Sequence, residues 1–179
     1  MSADRSGQTL TVIIVMGVCG CGKSTLAMEL ADLLGWTYVE GDDLHPAQNI
    51  QAMSKGTALT DEMRQPWLAA IAKEINRSRG QGAGVVVSCS ALKKSYRRTL
   101  LGGREGAAFV HLDLDRETLA QRMAARTRHF MPAALLDSQL KTLEPLDHSE
   151  PGLAFRFSVS ATSVIKSLQS NFALSVTAT

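Results

Sequence analysis

One stretch constrains this chain more than any other: Gly17-Val18-Cys19-Gly20-Cys21-Gly22-Lys23-Ser24-Thr25, which satisfies the pattern G-x-x-x-x-G-K-[ST] without a mismatch. Such a loop holds phosphate through backbone N–H groups. A Cβ would keep the oxygens away, so Gly17, Gly20 and Gly22 leave the loop bare. The flanks agree. Leu10 to Met16 is a short apolar run rich in β-branched residues, which reads as a buried parallel strand. Leu26, Leu30, Leu33 and Leu34 then recur at helical spacing, and Gly35 supplies a stop. A helix starting near Lys23 points free N–H groups and its positive dipole end at an anion. Lys23 is then placed to reach β- and γ-phosphates and Ser24 to ligate Mg²⁺, with Val18, Cys19, Cys21 and Thr25 completing the cradle. ATP and Mg²⁺ are the cofactors this predicts.

The chain has 179 residues, enough for one domain, 1–179, with a sizeable core. A net charge of +2 does not indicate nucleic-acid binding, and no basic-aromatic interleaving supports it. The positive charge is uneven, however. Residues 93 to 128 carry nine Lys/Arg against four acids, a balance that favours a small anionic ligand or several phosphates over a solvated basic face. Three cysteines without a framework spacing suggest a reducing compartment, the cytoplasm. A thiol near a helix N-terminus can be reactive, so Cys19 and Cys21 are candidates for an oxidation that blocks nucleotide binding, or simply small residues tolerated in the loop. Met1 to Gln8 reads as a polar tail, and the apolar run after it is too short to span a membrane.

Trp36 to Val39 reads as a second strand delivering Glu40-Gly41-Asp42-Asp43-Leu44-His45-Pro46 to the edge where open α/β sheets bind ligands. Asp42 or Asp43 there can accept a proton or hold Mg²⁺, or act as a turn or cap residue. Pro46 opens a short helix to residue 54. A longer helix follows, burying Trp67, Ile71 and Ile75. Arg64 near its start stands against the helix dipole and needs a specific partner, which Asp61 and Glu62 can supply locally. Val85 to Cys89 is a third strand. It ends in Ser88-Cys89-Ser90 rather than the Asp of a Walker-B strand, leaving Mg²⁺ to Ser24, water and Asp42. Lys94, Arg97 and Arg98 then share overlapping helix faces. Ala107 to Leu112 is a fourth strand, and Asp113 or Asp115 caps the helix after it, where Arg122 and Arg126 stand one turn apart. A helix opened by Pro132, with the stripe Leu136, Leu140 and Leu143, completes a basic-rimmed excursion that reads as a closing lid. Phe155 to Val159 is the expected fifth strand and Thr162 to Phe172 the last helix.

Together these pieces resemble the bacterial-type gluconate kinases (gluconokinases), small P-loop kinases akin to shikimate and nucleoside monophosphate kinases. The likeness runs from about Val12 to Pro145. Beyond the phosphate loop it is carried by Gly41-Asp42-…-Leu44-His45-Pro46 with Asn49 and Met53, and by Leu59-Thr60-Asp61-…-Arg64-…-Pro66-Trp67-Leu68. Further on it rests on Cys89-Ser90-Ala91-Leu92-Lys93-Lys94-…-Tyr96-Arg97, Arg122-…-Arg126-…-His129-Phe130, and Met131-Pro132 through Gln139 to Glu144. Cys19 and Cys21 stand where the family usually has small residues such as Ser, Ala47-Gln48 where some members are basic, and Glu40 where some have Asp. The tail after Pro151 matches poorly.

The resemblance implies an α/β P-loop NTPase fold: a five-stranded parallel sheet flanked by helices, like the nucleoside monophosphate kinases, with a helical lid at about 127–147 and a substrate segment at about 42–79. It implies ATP-dependent phosphorylation of D-gluconate at the 6-hydroxyl. Arg64 and Arg97 are then candidates for the substrate carboxylate, and Asp42 and His45 for its hydroxyls. Asp42 orients, and can deprotonate, the attacking hydroxyl. Lys93 and Gln139 join the acceptor set, while Lys23, Arg122 and Arg126 neutralise the phosphates. The partner is a small molecule rather than nucleic acid or membrane, and the resemblance leaves room for a homodimer. Two readings stay open beside it: another small-acceptor kinase (for shikimate, adenylylsulfate or a nucleoside monophosphate), and a non-catalytic ATP-sensing module.

Overall fold

The computed structural model describes residues 9–80, 82, 84–124 and 133–174, with backbone alone at 133 and 134. Five strands form one sheet: β1 (Val12–Met16), β2 (Thr37–Glu40), β3 (Val85–Ser88), β4 (Ala107–Leu112) and β5 (Gly152–Phe155). Their order is β2-β3-β1-β4-β5, and every pairing is parallel. The strand ahead of the glycine loop lies at the centre because all five of its residues are apolar and buried. Alternate side chains face opposite layers. Ile13, Val15, Val86, Ala108 and Val110 pack in the core that includes α1 (Lys23–Leu34) and α7 (Ala161–Asn171). Val12, Ile14, Val85, Val87 and Phe109 pack with α3 (Asp61–Arg79) and α4 (Lys94–Leu101). The expected anchors Trp67, Ile71 and Ile75 are all buried on α3, and Val164, Ile165 and Leu168 on α7.

Local signals account for most boundaries. Gly35, in the left-handed region at φ 64°, ends α1 and donates its N–H to the Ala31 and Asp32 carbonyls. Thr60 caps α3 by accepting the Met63 N–H. Asp115, rather than Asp113, accepts the Thr118 N–H ahead of α5 (Arg116–Ala124). Pro46 precedes α2 (Ala47–Ser54) as its cap instead of occupying its first position.

The main displacement is β5, which spans Gly152–Phe155 and not Phe155–Val159. Pairing with β4 decides this. Phe109 donates to the Pro151 carbonyl at 2.8 Å and Asp113 to the Phe155 carbonyl at 2.9 Å, so the ladder is complete before the aromatic run that drew the expectation. Phe157 is left 68% exposed. The chain between β4 and β5 carries α5 and α6 (Ala133–Thr142), where the lid is expected. Residues 125–132, with Arg126, Arg128, His129, Phe130 and Pro132, lie outside the described residues, as do Met1 to Gln8. No helix among the described residues is long and apolar enough to cross a membrane.

Candidate active site

Because the sheet is parallel, the segments after β1, β2 and β3 emerge at one edge, and there the site is assembled. In the glycine loop, Gly17, Gly20 and Gly22 have φ of 138°, 80° and 100°, where a side chain is strained. Gly17 also faces the Leu112 carbonyl, which an added Cβ would approach to 2.8 Å. No side chain caps α1 at Gly22, so the first N–H groups of that helix are not taken by a cap. The Lys23 ammonium folds back onto the Val18 carbonyl at 3.0 Å. Burial opposes its charge, but Cys21, Asp42 and the other nearby thiols outweigh this and hold its pKa above the ordinary value.

A cavity of about 290 Å³ joins this loop to the segment after β2. Cys19, Gly20, Gly22, Lys23, Ser24 and Thr25 line it from the loop. Asp42, His45, Arg64 and Gln139 line it as well, so four residues expected at the acceptor share one space with the phosphate cradle. Met53, Ala58, Leu59 and Leu135 give it apolar walls.

His45 is held from two sides. Its ring stacks on Trp67 with centroids 4.1 Å apart, and the Trp67 indole N–H donates to the Gly41 carbonyl at 2.7 Å. Gly41 has no room for a side chain, since a Cβ there would run into the Ser88 carbonyl. Asn49 Nδ2 donates to the Met63 carbonyl at 2.9 Å and lies 3.4 Å from His45 Nδ1. An amide whose nitrogen faces Nδ1 makes that atom the acceptor and puts the ring proton on Nε2. Burial, and then Arg64, lower the His45 pKa to about 4, so the imidazole is neutral at physiological pH.

This carries a stability prediction. Between the unfolded value of about 6.5 and the folded value of about 4, the unfolded chain binds a proton that the folded chain refuses. Stability present above pH 6.5 is therefore lost as pH falls toward 4. His111, also lowered by burial, adds in the same direction. Melting temperatures from pH 7.5 to 4.5 should fall, and less steeply in His45→Gln. An identical slope in that variant would refute the neutral, buried imidazole.

Arg64 is 9% exposed, and its Nε is buried without a hydrogen-bond partner among the described residues. Its guanidinium lies over the Tyr96 ring at 5.7 Å. Asp61, the local partner the sequence offered, is engaged elsewhere. It accepts Lys93 at 2.7 and 2.8 Å and the Tyr96 hydroxyl at 2.5 Å.

Two expected acceptor residues are placed differently. Lys93 pairs with Asp61 and does not line the cavity. Arg97, expected at the substrate carboxylate, is fully buried and forks onto Glu150 at 2.6 and 2.8 Å. It also donates to the carbonyls of Ala91, Leu92, Glu144 and Pro145, so all three guanidinium nitrogens are engaged inside the protein. This is a correction: α4 turns Arg97 inward, and no donor is left for a ligand. Gln139 does line the cavity, and its Oε1 accepts the Cys19 N–H of the glycine loop at 2.7 Å.

Arg122 donates to the Cys21 carbonyl at 3.0 Å and to the Ser158 hydroxyl at 2.5 Å. It lines a second cavity of about 400 Å³, which shares Gly22 and Thr25 with the first and includes Cys21, Glu29 and Phe157. Gly17 and Val18 line neither cavity. Cys21 and Cys89 are buried, and burial pushes the Cys89 thiol up to about 12. Cys19 is partly buried, with its Sγ 3.8 Å from Met123 Sδ.

Glu40 is the residue that sequence reasoning passed over. Its carboxylate accepts the Ser88 hydroxyl at 2.5 Å, the Tyr38 hydroxyl at 2.6 Å and the Asp42 N–H at 3.3 Å, and Ser24 lies near enough to favour its charge. Burial opposes its charge, but these hydrogen bonds prevail and hold its carboxyl below the ordinary value. Burial and the bond to Glu40 push the Tyr38 phenol up to about 12. This places a carboxylate near Ser24, one strand away from the end of β3, where a Walker-B aspartate would stand. The polar end of β3 at Ser88, and Glu40 standing where some relatives of that pattern have Asp, were the hints.

Comparison with known proteins bears on this site. A family described as an AAA domain matches residues 12–146. A gluconokinase from Gluconobacter oxydans is 49% identical over 139 residues, covering 78% of this chain and 78% of that protein. The structure of a gluconokinase from Sinorhizobium meliloti superposes with a TM-score of 0.77 at 41% identity, covering 92% of each chain. That of an unliganded sugar kinase from Janibacter superposes at 0.82 with 39% identity, covering 90% of this chain and 94% of the other.

Proposed function

The chain belongs to the gluconokinase family of AAA-domain proteins, and on that premise we propose that it transfers the γ-phosphoryl group of ATP to the 6-hydroxyl of D-gluconate, giving ADP and 6-phosphogluconate. One observation carries the acceptor: the buried guanidinium of Arg64 has a donor without a partner among the described residues and lines the cavity that also holds the phosphate loop. A guanidinium in that state calls for an anion that forks onto it, and a carboxylate does so. Neutral His45 offers an Nε2–H to a substrate hydroxyl, and Asp42 accepts the proton of the attacking one. In the step itself, the 6-oxygen forms a bond to the γ-phosphorus and the bond from that phosphorus to the β,γ-bridging oxygen breaks. The hydroxyl proton passes to Asp42, and ADP leaves with the bridging oxygen. Lys23 and the loop N–H groups neutralise the charge on the transferring group, which is most of what such a reaction needs from a protein.

The donor set suits Mg²⁺. The Ser24 hydroxyl and the Glu40 and Asp42 carboxylates are hard oxygen donors, while among the described residues no group of three or more His, Cys, Asp or Glu could hold a metal by itself. Ser24 would hold the ion, with Glu40 orienting that hydroxyl. An ion held there would supply positive charge against the phosphates, adding to that of Lys23. The second cavity takes the nucleoside, with the exposed Phe157 ring at hand to stack on its base.

The test is ADP release at fixed Mg-ATP across D-gluconate, other sugar acids, shikimate, adenylylsulfate and AMP. Turnover with gluconate well above the rest is expected. Turnover with another acceptor alone would keep the phosphate-loop argument and discard the acceptor assignment. ATP binding without turnover on any acceptor would favour the sensing module.

A further inference from the structure

Ala91 is the one non-glycine among the described residues with φ in the left-handed region, at 45°, and it is fully buried. A Cβ in that conformation is strained, so neighbouring contacts must hold it there. The residue before it, Ser90, lines the cavity, and the Ser90 carbonyl accepts the Gly17 N–H of the phosphate loop at 3.3 Å. Arg97 does the holding: its Nη1 donates to the Ala91 and Leu92 carbonyls at 3.2 and 3.3 Å.

The same guanidinium grips the chain that returns from α6. It donates to the Glu144 carbonyl at 3.0 Å and the Pro145 carbonyl at 3.4 Å, and forks onto the Glu150 carboxylate. The Glu144 N–H in turn reaches the Leu92 carbonyl at 2.8 Å, and Lys94 pairs with Asp147 at 2.8 Å. At its other contact, α6 meets the phosphate loop through Gln139 and the Cys19 N–H. Two routes therefore run from Arg97 to the glycine loop, one through the Ala91 turn and one through α6. A buried ion pair is weak support for stability, since apolar side chains of similar volume often serve as well. No apolar side chain would join carbonyls of two separate segments.

We propose that Arg97 and Glu150 form a positioning pair that sets the phosphate loop against α6, with the strained turn at Ala91 as the linkage, so that ATP is spent on the acceptor and not on water. This deepens the kinase reading and rests on it. Glu150→Gln preserves shape and removes the charge. Ala91→Gly removes the strain and frees the turn.

Each variant is compared with the unmodified chain for acceptor-dependent transfer, for ATP hydrolysis without acceptor, and for melting temperature, using whichever acceptor the unmodified chain phosphorylates best. In Glu150→Gln, kcat for transfer should fall about tenfold and the ratio of hydrolysis to transfer should rise about fivefold or more, with the acceptor KM within about twofold. Ala91→Gly should melt no lower than the unmodified chain and still raise the ratio. A purely structural pair would shift melting temperature and leave the ratio where it was, and an unchanged ratio in the folded variants overturns the proposal. If Glu150→Gln does not fold, Ala91→Gly decides alone on the same criterion. Failure of the kinase reading is separate, because it shows on the unmodified chain as no transfer to any acceptor of the panel.

Discussion

Lys23→Ala should lower kcat by about a thousandfold or more, the largest effect of any single substitution in this chain. Phosphoryl transfer spreads negative charge over the oxygens of the moving group, and a fixed ammonium in an enclosed site interacts with it far more strongly than water does. Lys23 satisfies both conditions. It lines the cavity beside the loop N–H groups, and its surroundings keep it charged. Its contact with the Val18 carbonyl at 3.0 Å costs only one hydrogen bond to exchange for a phosphate oxygen. The fold should survive the change, because the glycine loop is held by the bond from the Gly17 N–H to the Ser90 carbonyl and by that from the Cys19 N–H to the Gln139 side chain. Circular dichroism and melting temperature would check this beside steady-state kinetics. A folded Lys23→Ala chain retaining more than about a tenth of the activity would remove Lys23 from the transfer step.

Arg64→Ala should raise the KM for gluconate about a hundredfold and leave that for ATP within about threefold, a loss of roughly 2.7 kcal/mol of acceptor binding. The size follows from burial. A bidentate bond between charges in a site shielded from water is worth more than one at the surface. The asymmetry follows from position, since Arg64 belongs to α3, on the segment after β2, and not to the glycine loop. Arg64→Lys should recover only part of the loss, because an ammonium cannot present the guanidinium fork. Stability should change little: the truncation gives up contact with Tyr96 but also removes a buried charged group whose Nε has no partner among the described residues. Equal rises in both KM values would exclude Arg64 from the acceptor site.

Much of the fold could be read from local chemistry. The strand ahead of the loop, the helix from Lys23 to the stop at Gly35, and the buried face Trp67, Ile71 and Ile75 all follow from spacing within a few residues. The fifth strand did not follow. Gly152–Phe155 is fixed by bonds from Phe109 and Asp113, over 40 residues earlier, while the apolar run that resembled a strand leads to an exposed Phe157. Glu40 escaped for a similar reason. Its partner Ser88 is 48 residues away, and a strand ending in Ser gives little sign that it completes a carboxylate site.

The phosphate loop was determined by sequence alone, because its function needs only contiguous backbone and three glycines that a local turn requires. The division of labour between Arg64 and Arg97 was decided by tertiary structure. Both are arginines on helices beside acceptor motifs, and charge and spacing treat them alike. Glu150, 53 residues beyond Arg97, captures one guanidinium, while Lys93 and Tyr96 take the carboxylate that could have captured the other. Pairing of charges depends on separation in space, and folding sets that separation.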